Sequence, residues 1–259
     1  MMKKLRKLIL LIMIAPLLLT GCSNSRPDSQ NQITVAAAAD LYNAFTELAK
    51  LFEQKTGSRV QLSFGSTGQL FRQIEHGAPF DLFAAASVDF IDRLEAQGLI
   101  IPETKRLYAQ GRITLWQRKD SQFVATKLED LLNPKIKRIA IANPEHAPYG
   151  QAAQQALQSV EIWDKVQSKI IYGENIRQTL QFAETGNADV AIVALSISDS
   201  PGGRFTLIDA DLHSPINQAL AVLKATKNES LARQFAEFIN SQEGRAVMKR
   251  YGFVLPGEL

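Results

Sequence analysis

The side chains best placed to do chemistry fall in four short turns. These are Ala39-Asp40 before Leu41, Gly65-Ser66-Thr67-Gly68, Pro148-Tyr149-Gly150, and Glu174-Asn175-Ile176-Arg177. Each turn leads into an amphipathic, helix-like stretch. The start of a helix presents unpaired N–H groups and the positive end of its dipole, so it can hold an anion without a cationic side chain. The hydroxyls of Ser66 and Thr67 would add donors. Four such starts facing one cleft would make a cage of donors for an oxyanion. Taken singly, each turn is better read as ordinary N-capping, because Asp, Ser, Thr and Asn are the preferred caps. No Lys follows the 65–68 turn as a phosphate loop requires.

Other chemistries find little support. The three histidines, His76, His146 and His213, are far apart, and no HExxH pair exists to hold zinc. No G-x-S-x-G elbow marks a hydrolase serine. Asp81, Asp189 and Glu174 are scattered carboxylates that suit caps and surface pairs better than an acid/base couple. Trp116 and Trp163 read as packing residues.

The elements that must position the turns alternate between strand and helix. Strands are expected over 33–38, 60–64 and 81–85, with helices over 41–55, 67–76 and 88–97. Gly57, Gly77 and Gly98 act as the helix stops. The pattern then restarts. Strands are expected over 113–116, 138–142, 170–172, 190–194 and 218–223, and helices over 151–160, 176–185 and, as one final helix, 229–250. Such alternation argues for mostly parallel sheets flanked by helices. Two αβ units in one chain predict two lobes, with the ligand beyond the carboxyl ends of the strands and between the lobes.

The first residues address the chain to a membrane. Lys3, Lys4, Arg6 and Lys7 precede an apolar run over 8–19, too short for the roughly 20 residues of a span. A basic stretch followed by a short apolar one is a secretory signal. The run ends Leu19-Thr20-Gly21-Cys22, which resembles a bacterial lipobox, where cleavage precedes an acylated Cys. Cys22 is the only Cys of the chain, so the mature protein would have no disulfide and no Cys metal site. More than one acyl chain gives stable attachment, and the polar stretch after Cys22 reads as a tether. Four of the 29 basic residues lie before Cys22 and none of the 26 acidic ones do, leaving 25 basic against 26 acidic. No basic surface is left to suggest nucleic acid.

Seven motifs in order resemble the periplasmic molybdate-binding proteins of ABC importers: ITVAAAADL at 33–41, SFGSTG at 63–68, GAPFDLF at 77–83, NPEHAPYG at 143–150, GENIR at 173–177, GNADVAIV at 186–193 and RYGF at 250–253. The resemblance implies an α/β, two-lobe periplasmic-binding-protein type II fold, closing over a hinge of crossing strands. It further implies a monomeric, non-enzymatic receptor for molybdate or tungstate, without cofactor, that serves a membrane permease. Carried over by position, the oxyanion would be held at Ala39 and Asp40, by Ser66 or Thr67, and by the backbones at Tyr149 and Ile176. The expected organisation is a signal peptide over 1–21, a lipid-anchored tether over 22–31, lobe 1 over 32–112 plus 224–259, and lobe 2 over 113–223. Sulfate or phosphate is the next ligand class. An exported enzyme on the same fold is a weaker alternative, and a regulator's sensing domain is disfavoured because export would separate it from DNA.

Two positions depart from the family pattern. Well-known members carry Ser where this chain has Asp40, and a Tyr hydroxyl where it has Ala194. A carboxylate facing a dianion would be repelled, so Asp40 is expected to turn aside and cap its own helix. In the rival reading, Asp40 accepts a hydrogen from a protonated oxyanion such as hydrogen phosphate. The donor missing at Ala194 would come from Tyr149 or Ser196.

Overall fold

A computed structural model describes residues 31–258; the signal sequence, Cys22 and most of the tether lie outside the described residues. The first half of the chain repeats strand and helix: β1 (Gln32–Ala38), α1 (Tyr42–Thr56), β2 (Arg59–Gly65), α2 (Thr67–Glu75), β3 (Leu82–Ala85) and α3 (Val88–Ala96). β1 pairs in parallel with β2 on one side and β3 on the other. Its Ala-rich run is buried on both faces, as expected for a central parallel strand. α1 buries Phe45, Leu48 and Phe52 along one face and ends at Gly57, whose φ of 71° suits glycine.

β4 (Arg106–Gly111) then leads through Arg112 into β5 (Ile113–Arg118) and a second unit. This unit comprises β6 (Ile139–Ala142), α4 (Pro148–Ser159), α5 (Trp163–Val166), β7 (Ile170–Gly173), α6 (Ile176–Glu184), β8 (Val190–Ala194) and β9 (Gly203–Leu207). The chain returns with β10 (Ile216–Val222) and finishes in α7 (Glu229–Asn240) and α8 (Gln242–Arg250). The strands form two five-stranded mixed sheets, ordered β2-β1-β3-β10-β4 and β7-β6-β8-β5-β9. Each sheet, with its helices, is one lobe. The chain crosses between them at residues 111–113 and 208–215, and β4 and β5 run directly from one sheet into the other.

The structure corrects three expectations. β10 was expected at the end of the second lobe, but it pairs antiparallel with β3 and β4 and so belongs to the first sheet. Its small inward residues, Ala219 and Ala221, fit between those strands, and no local pattern announces which sheet it joins. The final helix is broken at Ser241, which caps α8 by accepting from Gly244 N at 3.2 Å. α4 starts three residues earlier than expected, with Pro148 at its first position, where a missing N–H is harmless. β4 and β9 escaped the periodicity altogether.

The larger apolar cluster joins α1, α7 and one face of β1 to the interior of the second lobe, and the smaller one fills the layer between the first sheet and α2 and α3. Edge-to-face pairs of Phe235 with Phe45 and Phe52 seat α7 on α1. α7 and α8 thus close the first lobe, although they come last in the chain.

Candidate functional site

The four turns meet where the two lobes face each other, at the carboxyl ends of β1, β2, β6 and β7. All six residues implicated by sequence are buried, from Asp40 and Thr67 at 1 % exposure to Ala39 and Ser66 at 4 %. Hydrogen bonds join turn to turn across the cleft. Tyr149 Oη donates to Asp40 Oδ2 at 3.0 Å, Gly68 N to the His146 carbonyl at 2.9 Å, and Gln69 Nε2 to Glu174 Oε2 at 2.5 Å. Ser196, after β8, donates from Oγ to the Asp40 carbonyl at 2.7 Å. Clefts of about 550 Å³, touching Ala39 and Asn175, and about 280 Å³, touching Ala86 and Pro148, flank the meeting point.

Glycines permit this closeness. A Cβ on Gly68 would stand 2.8 Å from the His146 carbonyl oxygen, and one on Gly150 would stand 2.1 Å from that of Ala142. α2 can therefore lie against the loop before α4, and α4 can begin directly on the end of β6.

The hydroxyls are unequally engaged. Ser66 caps α2, accepting from Gln69 N at 3.4 Å, while its Oγ lies 2.7 Å from His146 Nδ1 and 3.1 Å from the His146 carbonyl. Thr67 Oγ1 accepts from Ala86 N at 3.0 Å, and its own proton is taken by none of the described residues. Asn175 caps α6, accepting from Arg177 N at 3.0 Å and Gln178 N at 3.1 Å. Thr67, Tyr149 and Ile176 each lie in the first turn of a helix, so their N–H groups have no intrahelical acceptor. No lysine or arginine is ion-paired within the four turns among the described residues, and no group of three or more potential metal ligands occurs there.

Asp40 differs from its expected role. It turns aside, but it does not cap its helix: no side-chain cap bond is present, and Oδ2 instead accepts from Tyr149 Oη and, at 2.7 Å, from Gln218 Nε2. Gln218 sits at a register shift in β10 that re-aims its side chain. It also bonds Tyr149 Oη at 2.9 Å and accepts from Tyr108 Oη at 2.7 Å. A Cβ on Gly111 would lie 2.0 Å from Tyr149 Oη, so only glycine leaves room for this phenol. Burial pushes the Asp40 carboxyl up to about 6, against the smaller opposing pull of its Gln218 and Tyr149 bonds. Burial also raises both phenols well above their usual range and lowers His146.

Sequence reasoning missed Gln218, Tyr108, Gly111 and His146 as partners of the site. Ala194 is fully buried at the end of β8. The two hydroxyls expected to replace its missing donor, those of Tyr149 and Ser196, both donate to Asp40 instead.

A model of the family described as "Bacterial extracellular solute-binding protein" matches residues 33–254. The chain belongs to this family. Its members are solute-binding proteins and not enzymes. Among its relatives is the molybdate-binding protein ModA of Azotobacter vinelandii, 35% identical over 228 residues, which are 86% of this chain and 90% of the relative. The putative ABC transporter substrate-binding lipoprotein YvgL of Bacillus subtilis is 34% identical over 245 residues, 92% and 93% of the two chains. The solved periplasmic molybdate-binding protein of Azotobacter vinelandii superposes with a TM-score of 0.82 at 31% identity, covering 86% of this chain and 99% of that one. The two-sheet architecture is thus the type II binding-protein fold.

Proposed function

We propose that the protein captures a tetrahedral oxyanion, molybdate or tungstate, outside the cytoplasm and delivers it to the permease of an ABC importer. The observation that carries this reading is the meeting, between the lobes, of the turns that hold Thr67, Tyr149 and Ile176, all in helix first turns, where the one cation, Arg177, is stacked on the Tyr42 ring. N–H groups fixed in that way replace the hydration of an anion without neutralising it. The named molybdate-binding relatives supply the ligand's identity. The contacts would come from these N–H groups, the Thr67 hydroxyl and the Ala39–Asp40 turn. Ser66, engaged with His146, would hold α2 in place. The lobes would turn about the 111–113 and 208–215 crossings to admit the ligand, and a lipid on Cys22 would keep the monomeric receptor beside its permease.

A thermal-shift panel of molybdate, tungstate, sulfate, phosphate and chromate tests the reading. A ligand at 100 times its dissociation constant stabilises by about 2.7 kcal/mol, so molybdate and tungstate should raise the melting temperature clearly and sulfate and phosphate should not. No shift with either molybdate or tungstate would overturn the assignment.

A further inference from the structure

One polar side-chain atom of the four turns is unaccounted for. Asp40 is 1 % exposed, and its Oδ1 has no hydrogen-bond partner among the described residues. The rest of its network is complete. The Tyr108 hydroxyl donates to Gln218 Oε1, the two amide hydrogens of Gln218 go to Asp40 Oδ2 and Tyr149 Oη, and the Tyr149 hydroxyl donates to the same Oδ2. The side-chain donors of Tyr149 and Gln218 therefore converge on one carboxyl oxygen. The other is left bare in a buried place, where an unsatisfied acceptor is costly and calls for an explanation.

We propose that Asp40 is a proton-carrying group of the site, so that the cleft takes up one dianionic oxyanion together with one proton, held on Oδ1. This rests on the oxyanion reading above. A proton on Oδ1 removes two difficulties at once. It ends the repulsion between a carboxylate and a dianion, and it removes the charge from a buried oxygen that has no donor. Oδ2 cannot take the proton because it already receives two hydrogens. The binding step is MoO4 2− plus H+ plus protein giving a complex in which Asp40 is a neutral carboxylic acid. No covalent bond forms and nothing is oxidised.

The surrounding groups permit this assignment. Facing Asp40 are Tyr149 of α4, Gln218 of β10 with Tyr108 of β4 behind it, and Ser196 after β8. Both phenols are pushed well above their usual range and stay protonated. Arg177, the one cation within the four turns, stacks its guanidinium on the Tyr42 ring at 3.4 Å and does not pair with Asp40. Burial lowers His146, the titratable ring beside Ser66, against the opposing pull of Glu174. Asp40 itself stands at about 6 before any anion adds to the effect.

The test is calorimetric titration of the mature protein with molybdate between pH 6.5 and 8.5, in two buffers of different ionisation enthalpy. The expected result is a roughly tenfold loss of affinity per pH unit with close to one proton taken up per ion bound. Asp40→Asn puts an N–H in the place of Oδ1 and keeps an oxygen for Tyr149 and Gln218. The folded variant should bind with less than about threefold change over the same range and take up no proton. Affinity that is independent of pH in the wild-type protein, without proton uptake, overturns the proposal. Uptake that persists in Asp40→Asn, which would assign the proton to His146, also overturns it. So does a loss of binding in the folded variant, the result expected if Asp40 accepts from a hydrogen-bearing ion. If Asp40→Asn does not fold, His146→Gln takes its place: uptake that persists there supports Asp40 as the carrier, and uptake that is lost overturns the proposal. Absence of binding to molybdate and tungstate at every pH would instead reject the oxyanion reading itself.

Discussion

At the scale of the residue, Asp40 sets the chemistry of the cleft. Its carboxyl stands at about 6 in the folded protein against an ordinary 3.8, because burial disfavours the charge. A raised folded value means that the neutral form is the stabilised one. The associated stability is fully present below pH 3.8 and is lost as pH rises through 6. The difference in unfolding free energy between wild type and Asp40→Asn should therefore shift against the wild type by on the order of 3 kcal/mol from pH 4 to pH 7. Urea titrations at each pH would measure it, and a difference that does not change with pH would refute the burial argument. Asp40 was visible in the sequence as a departure from Ser, but its partners were not. Tyr149 and Gln218 lie 109 and 178 residues away along the chain, and no local pattern encodes a contact at that distance.

At the scale of the element, the site depends on how closely helix starts approach strand ends. α4 begins on β6 because Gly150 has no side chain to meet the Ala142 carbonyl. Gly150→Ala should force the two apart and destabilise the protein by about 1–3 kcal/mol, the usual cost of overpacking. Because Tyr149 would move with α4, molybdate affinity should fall too. A lower urea midpoint at unchanged slope, together with weaker binding, would bear this out; wild-type values for both would not. The elements were legible where hydrophobic periodicity is strong, as along α1 and β1. They were illegible at β4 and β9, short strands whose RLYAQG and GRFTL runs carry little alternation. At the chain's end, the Ser241 cap was present in sequence, but the apolar spacing of α7 and α8 ran across it.

At the scale of the whole molecule, the two lobes meet through hydrogen bonds that bypass the crossing segments. Asn43 Nδ2 reaches the Ser196 carbonyl at 3.2 Å, and the Tyr149, Gly68 and Gln69 bonds cross the same gap. Both sides of the gap supply donors and acceptors, and these bonds hold the lobes together. At this scale the proposed anchor at Cys22 would also bear on function, since a receptor held near its permease would meet it at high effective concentration. Cys22→Ser should move the protein from the membrane fraction to the soluble one and leave molybdate affinity unchanged. Retention in the membrane fraction would refute the anchor. No helix among the described residues is long and apolar enough to cross a membrane.

By itself the sequence determined the local grammar: which stretches form strands and helices, which turns offer N–H groups, and which residues depart from the family pattern. These follow from periodicity and capping, which act over a few residues. Only the tertiary structure decided that β10 joins the first sheet, that Gly111 makes room for the Tyr149 phenol, and that Oδ1 of Asp40 is left without a donor. Those facts arise from packing between segments far apart in the chain, from 38 residues for Gly111 and Tyr149 to 178 for Asp40 and Gln218. There, the space left by one glycine and the register shift at Gln218 determine which oxygen of a carboxylate is satisfied.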